Sequence, residues 1–262
     1  MQNKHIAVTG GATGIGAEVV AKLLQAGAKV TVFDIVSPTS AVDYVAINLA
    51  DQASIDHALD ATGQFDGLCN IAGLPPQNDN AVLVLGVNFI GMRQFTLGMY
   101  DKLLPGSSIV NVSSLAGGRW RQNLEQILRL CSLTADADLE TFITSESLDP
   151  AAAYNLSKEA VTAWSIGQCE SLIGRDIRMN TVSPGGVQTR ILDDFVKAFG
   201  DKVAQNLKRV GRASRPEEVA DAILFLLSEK SHWIKGIDIV VDGGIAACNQ
   251  SDMLGLSTNA NG

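Results

Sequence analysis

Ile6-Ala7-Val8-Thr9-Gly10-Gly11-Ala12-Thr13-Gly14-Ile15-Gly16 runs from a short apolar strand signal through a glycine-rich turn. Ala17 to Gln25 then reads as a helix that stops at Gly27, and Lys29-Val30-Thr31-Val32-Phe33-Asp34 follows as a second strand. Two strands joined through a helix are parallel and buried on both faces. The same rhythm continues downstream. Tyr44–Asn48, Gly67–Asn70, Ser108–Val112, Arg178–Val182 and Ile237–Val241 are further strand candidates, with helical stretches between most of them. The reading is a single α/β domain over residues 1–262, a doubly wound parallel sheet of about seven strands.

Composition agrees with one large core. The 262 residues are 46% hydrophobic and 18% charged, with a net charge of −8 and no basic stripe that could neutralise phosphates, so no nucleic-acid partner is expected. No apolar stretch reaches the roughly 18 residues of a membrane span, and no membrane partner is expected. Cys69, Cys131, Cys169 and Cys248 form no CxxC pair and read as free thiols of a cytoplasmic protein. His5, His57 and His232 lack neighbours at ligand spacing, so no metal site is expected. Residues 257–262 have too little apolar character to pack and read as a mobile tail.

The glycine turn carries chemistry as well as fold. Glycines allow close backbone approach, and a helix N-terminus offers unpaired N–H groups and partial positive charge to a pyrophosphate. Asp34 lies 20 residues beyond Gly14, at the tip of the second strand, where its carboxylate can hold ribose hydroxyls and repel a 2′-phosphate. No Lys or Arg stands at residues 11–13 or directly after Asp34. NAD is therefore the expected cofactor, rather than its phosphorylated form. Further along, Tyr154 and Lys158 stand four residues apart in Ala-Ala-Tyr-Asn-Leu-Ser-Lys-Glu-Ala, which places both on one helix face. A tyrosine near pKa 10 becomes a useful base only when roughly 4 kcal/mol of preferential stabilisation reaches its phenolate. Lys158 and an oxidised nicotinamide can supply that charge.

Taken in order, these landmarks resemble the short-chain dehydrogenase/reductase family over nearly the whole chain, which implies a Rossmann-type fold. The resemblance sets the glycine turn (Gly10, Thr13, Gly14, Ile15, Gly16) beside Asn70-Ile71-Ala72-Gly73, where Ile71 replaces the family's usual second Asn. It implies that Asn70, Ala72 and Gly73 bind cofactor, and that Asn48-Leu49 stands where an Asp usually meets the adenine. It also implies catalytic roles for Asn88, Ser114, Tyr154 and Lys158. Tyr154 would exchange the substrate proton, Lys158 would anchor the nicotinamide ribose, and Asn88 would hold a water linking Lys158 to solvent. The residues alone permit Ser113 or Ser114 as the hydrogen-bonding serine, and the resemblance favours Ser114. Pro184, Gly185, Val187 and Thr189 resemble the family's clamp on the nicotinamide carboxamide.

Forty residues separate Ser114 from Tyr154, far more than in most family members. Residues 119–150 read as a helical insertion, through Leu124, Ile127, Leu128 and Leu130. An insertion at this place is similar to that of the 3α-hydroxysteroid dehydrogenase/carbonyl reductase and coniferyl alcohol dehydrogenase branches. Gly67–Gly73, Arg178–Asn180 and Thr189–Phe195 look most like the second. The resemblance implies a homodimer through residues 216–244, with a homotetramer as the alternative. Residues 190–212 stand where the family places a substrate lid. Ile191, Leu192, Phe195, Val196 and Phe199 could line a pocket or simply dock the segment on the core. Trp120 and Leu74-Pro75-Pro76 are further candidates for the pocket wall, whereas Trp164 reads as core. The expected substrate is an apolar alcohol or its carbonyl partner: steroid, alicyclic or aromatic.

Overall fold

The computed structural model describes residues 1–76, 80–133 and 139–256; the tail expected at 257–262 lies outside them. The strands are β1 (His5–Thr9), β2 (Lys29–Asp34), β3 (Asp43–Ala46), β4 (Phe65–Asn70), β5 (Leu103–Val112), β6 (Arg178–Pro184) and β7 (Asp238–Val241). They form one parallel sheet in the order β3-β2-β1-β4-β5-β6-β7. The helices are α1 (Gly14–Gln25), α2 (Gln52–Asp60), α3 (Ala81–Leu85), α4 (Met92–Met99), α5 (Leu124–Ser132), α6 (Leu139–Ser145), α7 (Pro150–Gly167), α8 (Cys169–Ile173), α9 (Leu192–Phe199), α10 (Asp201–Val210), α11 (Pro216–Leu227) and α12 (Ile245–Met253).

Strand periodicity divides the core in two. Ile6, Val8, Val32, Cys69, Val110 and Val182 face α1 and α11, while Ala7, Phe33, Leu68, Ile109 and Met179 face the layer that contains α2, α4 and α7. Both faces are covered, so the central strands are buried on both sides, β6 with polar Arg178, Asn180, Thr181 and Ser183 among its buried residues. The strand order reverses between β1 and β4, whose last residues Thr9 and Asn70 are register partners. Chain leaving these two strands diverges, and a crevice opens beyond their carboxyl ends.

Several boundaries differ from the sequence reading. β3 ends at Ala46 rather than Asn48, because Asn48 turns the chain: its Oδ1 accepts from Ala50 N at 3.0 Å. β5 begins at Leu103, five residues before the apolar run, and its pairing with β4 shifts between Phe65 and Gly67. The expectation that no stretch is long and apolar enough for a membrane also needs correction. Ala81–Lys102 passes that test by length and composition, with 61% of its apolar window buried in the fold. Asn88 and Arg93 interrupt the apolar run in sequence, yet both are buried with polar partners. A π-helical segment, Gly86–Gly91, joins α3 to α4, and Leu49's carbonyl lies so close to Gly91 that a Cβ there would sit 1.8 Å from it.

The insertion is helical, as expected, and is tied into the core rather than appended to it. After a 3-10 segment over Leu115–Gln122, α5 and α6 bury Ile127, Leu130 and Phe142 against α7 and its neighbours. Arg93, buried on α4, donates Nη1 to the Cys131 carbonyl at 2.6 Å and Nη2 to the Leu133 carbonyl, at the end of α5. Arg93→Met keeps most of the side-chain volume and removes the guanidinium donors from both carbonyls. It should cost about 2–4 kcal/mol, read by urea unfolding, with faster proteolysis near residues 131–139. Wild-type stability would exclude Arg93 as the clamp of the insertion.

Candidate active site

Thr9 ends β1 and starts the site. Its Oγ1 accepts from Ile71 N at 3.1 Å and Ala72 N at 3.3 Å, holding the loop after β4 against the glycine turn. Gly10, at φ +69°, passes so near this loop that a Cβ would lie 2.6 Å from the Ala72 backbone. Gly16 is equally constrained, since its Cβ would meet the Gly10 carbonyl at 1.9 Å. Thr13 precedes α1 without a side-chain cap, and the first turn contains no acid, leaving its amides suited to an anion. At the tip of β2, Asp34 accepts from Ala12 N at 3.0 Å and Val36 N at 3.1 Å. Glycine turn, open helix end and strand-end carboxylate are thus assembled as a dinucleotide would require.

α7 carries Tyr154 and Lys158. Asp149 caps it, accepting from Ala152 N at 2.7 Å, and Pro150 begins its first turn. Four-residue spacing puts Lys158 Nζ 5.9 Å from the Tyr154 ring centre and 3.1 Å from the Val112 carbonyl. Ser114, two residues beyond β5, stands beside the Tyr154 hydroxyl and favours its ionised form. The two serines are placed differently. Ser114 faces the cavity, whereas Ser113 is buried, donating to the Lys158 carbonyl at 2.8 Å and accepting from Thr162.

Ser114, Tyr154 and Lys158 lie on a cavity of about 510 Å³, with Ile15 and Gly73 from the turn side. Pro184, Gly185, Val187 and Thr189 line it after β6, and Thr189 approaches Gly14 closely enough that a Cβ there would lie 3.4 Å from its methyl. Ile191, Leu192, Phe195 and Phe199 line it as well, while Val196 does not. Phe195 and Phe199 sit edge-on to Tyr154, with ring centres at 5.1 and 6.1 Å. The segment is therefore a pocket wall, and sequence periodicity could not distinguish that from ordinary docking because both need one apolar helix face. Of the other wall candidates, Leu74 lines the cavity, Trp120 packs on the core beneath the Arg121 guanidinium, and Pro75 and Pro76 are buried away from it. Trp164 is core.

Four of the expected site residues have side chains engaged within the protein itself. Asn70 points its side chain into the sheet's α4 and α7 side, donating to Thr96 and Asn111 at 2.8 Å each, so strand alternation turns it away from the crevice. Leu49 is buried in the core, and Asn48 has spent one lone pair on Ala50. Asn88 binds both sides of Leu74's backbone, accepting from its N at 2.7 Å and donating to its O at 2.9 Å, and it also donates to Ser157. Its side chain thus positions the loop after Gly73.

Burial dominates the electrostatics of both Tyr154 and Lys158. It pushes the Tyr154 pKa up to about 12, only partly offset by Ser114, and pulls Lys158 down to about 8. The two aromatic rings of α9 are the reason sequence reasoning missed this, since they come from a distant segment and remove water from the phenol. Sequence reasoning also missed Asn123, Gln126, Asn155 and Glu159 on the cavity wall. A carboxylate directly after Lys158, within an otherwise apolar helix stretch, was the available signal.

Comparison with known proteins matches this geometry. Residues 4–124 match the family model described as short chain dehydrogenase, and residues 139–246 match one described as enoyl-(acyl carrier protein) reductase. A coniferyl-alcohol dehydrogenase from a Pseudomonas species is 38% identical over 251 residues, covering 94% of this chain and 98% of that protein. The 3-alpha-hydroxysteroid dehydrogenase/carbonyl reductase of Comamonas testosteroni is 28% identical over 92% of this chain and 96% of its own. A crystal structure of a Pseudomonas 3-alpha-hydroxysteroid dehydrogenase complexed with NADH superposes with a TM-score of 0.79 at 28% identity, covering 94% of this chain and 98% of that one. An oxidoreductase fold with these landmarks in this order, and a relative this similar over its full length, place the chain in the short-chain dehydrogenase/reductase family.

Proposed function

We propose that this protein is an NAD(H)-dependent oxidoreductase interconverting a bulky apolar alcohol and its carbonyl. The observation that carries the reading is the grouping of Ser114, Tyr154 and Lys158 on one cavity that reaches the glycine turn. The residues fit a dinucleotide: α1 offers an uncapped N-terminus, Asp34 suits ribose hydroxyls, and Thr189 lies against Gly14. When bound, the nicotinamide supplies the hydride acceptor or donor. Ser114 holds the substrate oxygen, Tyr154 takes its proton during oxidation and returns it during reduction, and Lys158 favours the phenolate and anchors the nicotinamide ribose. Val187 and Thr189 orient the carboxamide, and residues 190–212 act as the lid. The apolar walls from Leu74, Ile191, Leu192, Phe195 and Phe199 favour a steroid, alicyclic or aromatic substrate over a sugar.

A second reading, oxidation of a primary aryl-allylic alcohol, is favoured by the 38% identity with the coniferyl-alcohol dehydrogenase. A screen at 340 nm with steroid, alicyclic, aryl and short-chain alcohols and carbonyls, using NAD(H) and NADP(H), separates the two. Turnover confined to short-chain or sugar alcohols would sink the apolar reading. Asp34→Ser tests the cofactor assignment directly. Loss of a charged hydrogen-bond acceptor for the ribose should lower kcat/KM for NAD about tenfold to hundredfold and narrow the preference over NADP. An unchanged ratio of the two would refute the role of Asp34. We also assign the subunit contact of a homodimer, or alternatively a homotetramer, to α11 and β7. There the outer sheet edge is unpaired among the described residues, and Phe225, Ile237 and Val240 are exposed.

A further inference from the structure

A second cavity, of about 190 Å³, adjoins the catalytic one between the C-terminal half of α10, the start of α11 and the end of β7. Gly186, Leu207 and Ile245 line both cavities, so these residues stand between them. Gly186 adds no side chain to the partition, and a Cβ there would lie 3.1 Å from Leu207 Cδ2. The partition is therefore one side chain thick, built by Leu207 from α10 and Ile245 from α12.

Its two members are held differently. Ile245 is 2% exposed, and the start of α12 is fixed by Asp242, whose carboxylate accepts from Gly244 N and Ala246 N at 2.7 Å each. Leu207 is half-buried, on a helix within the lid segment 190–212. Leu207 is thus the member that can yield. Phe199 stands edge-on to the Tyr154 ring, and Val203 and Leu207, four residues apart on α10, share the face that lines the catalytic cavity. The apolar wall leads from the phenol to the partition.

Polar groups around the second cavity are already engaged. Arg212 holds Glu218 through two hydrogen bonds, at 2.8 and 2.7 Å, Ser214 Oγ donates to the Gly186 carbonyl at 3.1 Å, and both Asp242 oxygens bind the start of α12. Val210 and Val241 continue the apolar lining. A space of this kind suits an apolar tail better than an ionic one. An apolar cavity of about 150 Å³ already admits a benzene ring.

We infer that Leu207 and Ile245 set how long an apolar substrate the site accepts, and that the chamber behind them is an extension of the substrate pocket opened by displacing or shortening Leu207. This rests on the proposed alcohol/carbonyl activity and deepens it, by assigning the limit on substrate length to named side chains. The carbinol stays at Ser114 and Tyr154, the skeleton follows the lid wall, and a tail directed along α10 ends at Leu207. Past the partition, each further methylene buried is worth about fourfold in affinity.

The test is calorimetric titration of the full chain with 4-alkylbenzyl alcohols from methyl to octyl, in the presence of NADH, because an alcohol beside the reduced cofactor cannot turn over. In the wild-type protein affinity should rise with chain length and then level off. In Leu207→Ala the levelling should come about two methylenes later, with the longest alcohols bound about tenfold more tightly than by wild type. Ile245→Val thins the partition from the other side without touching the lid, and should give a gain of about threefold. Val210 lines the second cavity and not the first, so adding Val210→Phe to Leu207→Ala should fill the chamber and abolish the gain. That variant separates the chamber from the room vacated by Leu207 itself. Affinity that never levels off in wild type, a levelling point unmoved in both Leu207→Ala and Ile245→Val, a gain that survives Val210→Phe, or binding of no member of the series overturns the inference. Parallel assays with NAD at 340 nm keep the two ideas separable. Turnover with an unmoved levelling point removes the chamber and leaves the activity, whereas a shifted levelling point without turnover supports the chamber and removes the activity.

Discussion

Tyr154→Phe should lower kcat about a thousandfold while NADH binding, read by fluorescence titration, stays within a few-fold of wild type. The substitution deletes one oxygen and leaves the ring between Lys158 and the Phe195–Phe199 pair. Proton transfer by a positioned side chain contributes about 10²–10⁴-fold, and Tyr154 is the titratable hydroxyl beside Ser114 on the cavity wall. The rise of the Tyr154 pKa to about 12 in the closed cavity adds a second readout. Desolvation is its first cause, so Phe195→Ala, which readmits water, should lower the apparent basic-limb pKa of the cofactor-free enzyme relative to wild type. Residual activity in Tyr154→Phe above about a tenth of wild type would remove Tyr154 as acid/base. Unimpaired cofactor binding with no turnover of any substrate by the wild-type protein would instead favour a nucleotide-sensing role.

Lys158→Met should abolish most activity and, at neutral pH, make the protein more stable. Lys158 is 5% exposed, and burial lowers its pKa from 10.5 to about 8. Below pH 8 the folded state carries an ammonium that burial penalises, so the penalty is fully present there. Between pH 8 and 10.5 the unfolded chain holds more protons, and the Lys158 contribution to stability rises with pH; above 10.5 both states are neutral and the penalty disappears. A depression of this size corresponds to about 3 kcal/mol, reduced by the lost bond to the Val112 carbonyl. Urea unfolding at pH 7 should therefore find Lys158→Met more stable by about 1–3 kcal/mol. The gap should close as pH approaches 10.5. A less stable variant at pH 7, or a gap independent of pH, would show that burial is not what depresses Lys158. An active site that stores this penalty trades stability for a charge beside Tyr154.

Fold and cofactor turn were legible for related reasons. Strand and helix periods alternate over short windows, and Gly10, Gly14, Gly16 and Asp34 stand at spacings dictated by one turn and one crossover. Tyr154 and Lys158 were paired by helix geometry alone. For Asn70 an ordered landmark says nothing about which way a strand residue points, and here the side chain points to Thr96 and Asn111. The apolar helix Ala81–Lys102 was missed because buried polar residues break its run without breaking its helix.

By itself the sequence determined the parallel α/β fold, the glycine turn with its acid, and the Tyr154–Lys158 pair, because each depends on residues a few turns or one crossover apart. Only the tertiary structure decided that Ser114 rather than Ser113 meets Tyr154, that Phe195 and Phe199 close over the phenol, and that the insertion brings Asn123 to Glu159. Those contacts join segments whose relative placement comes from packing of the whole core, and side-chain direction, solvent exclusion and pKa follow from that packing rather than from local spacing.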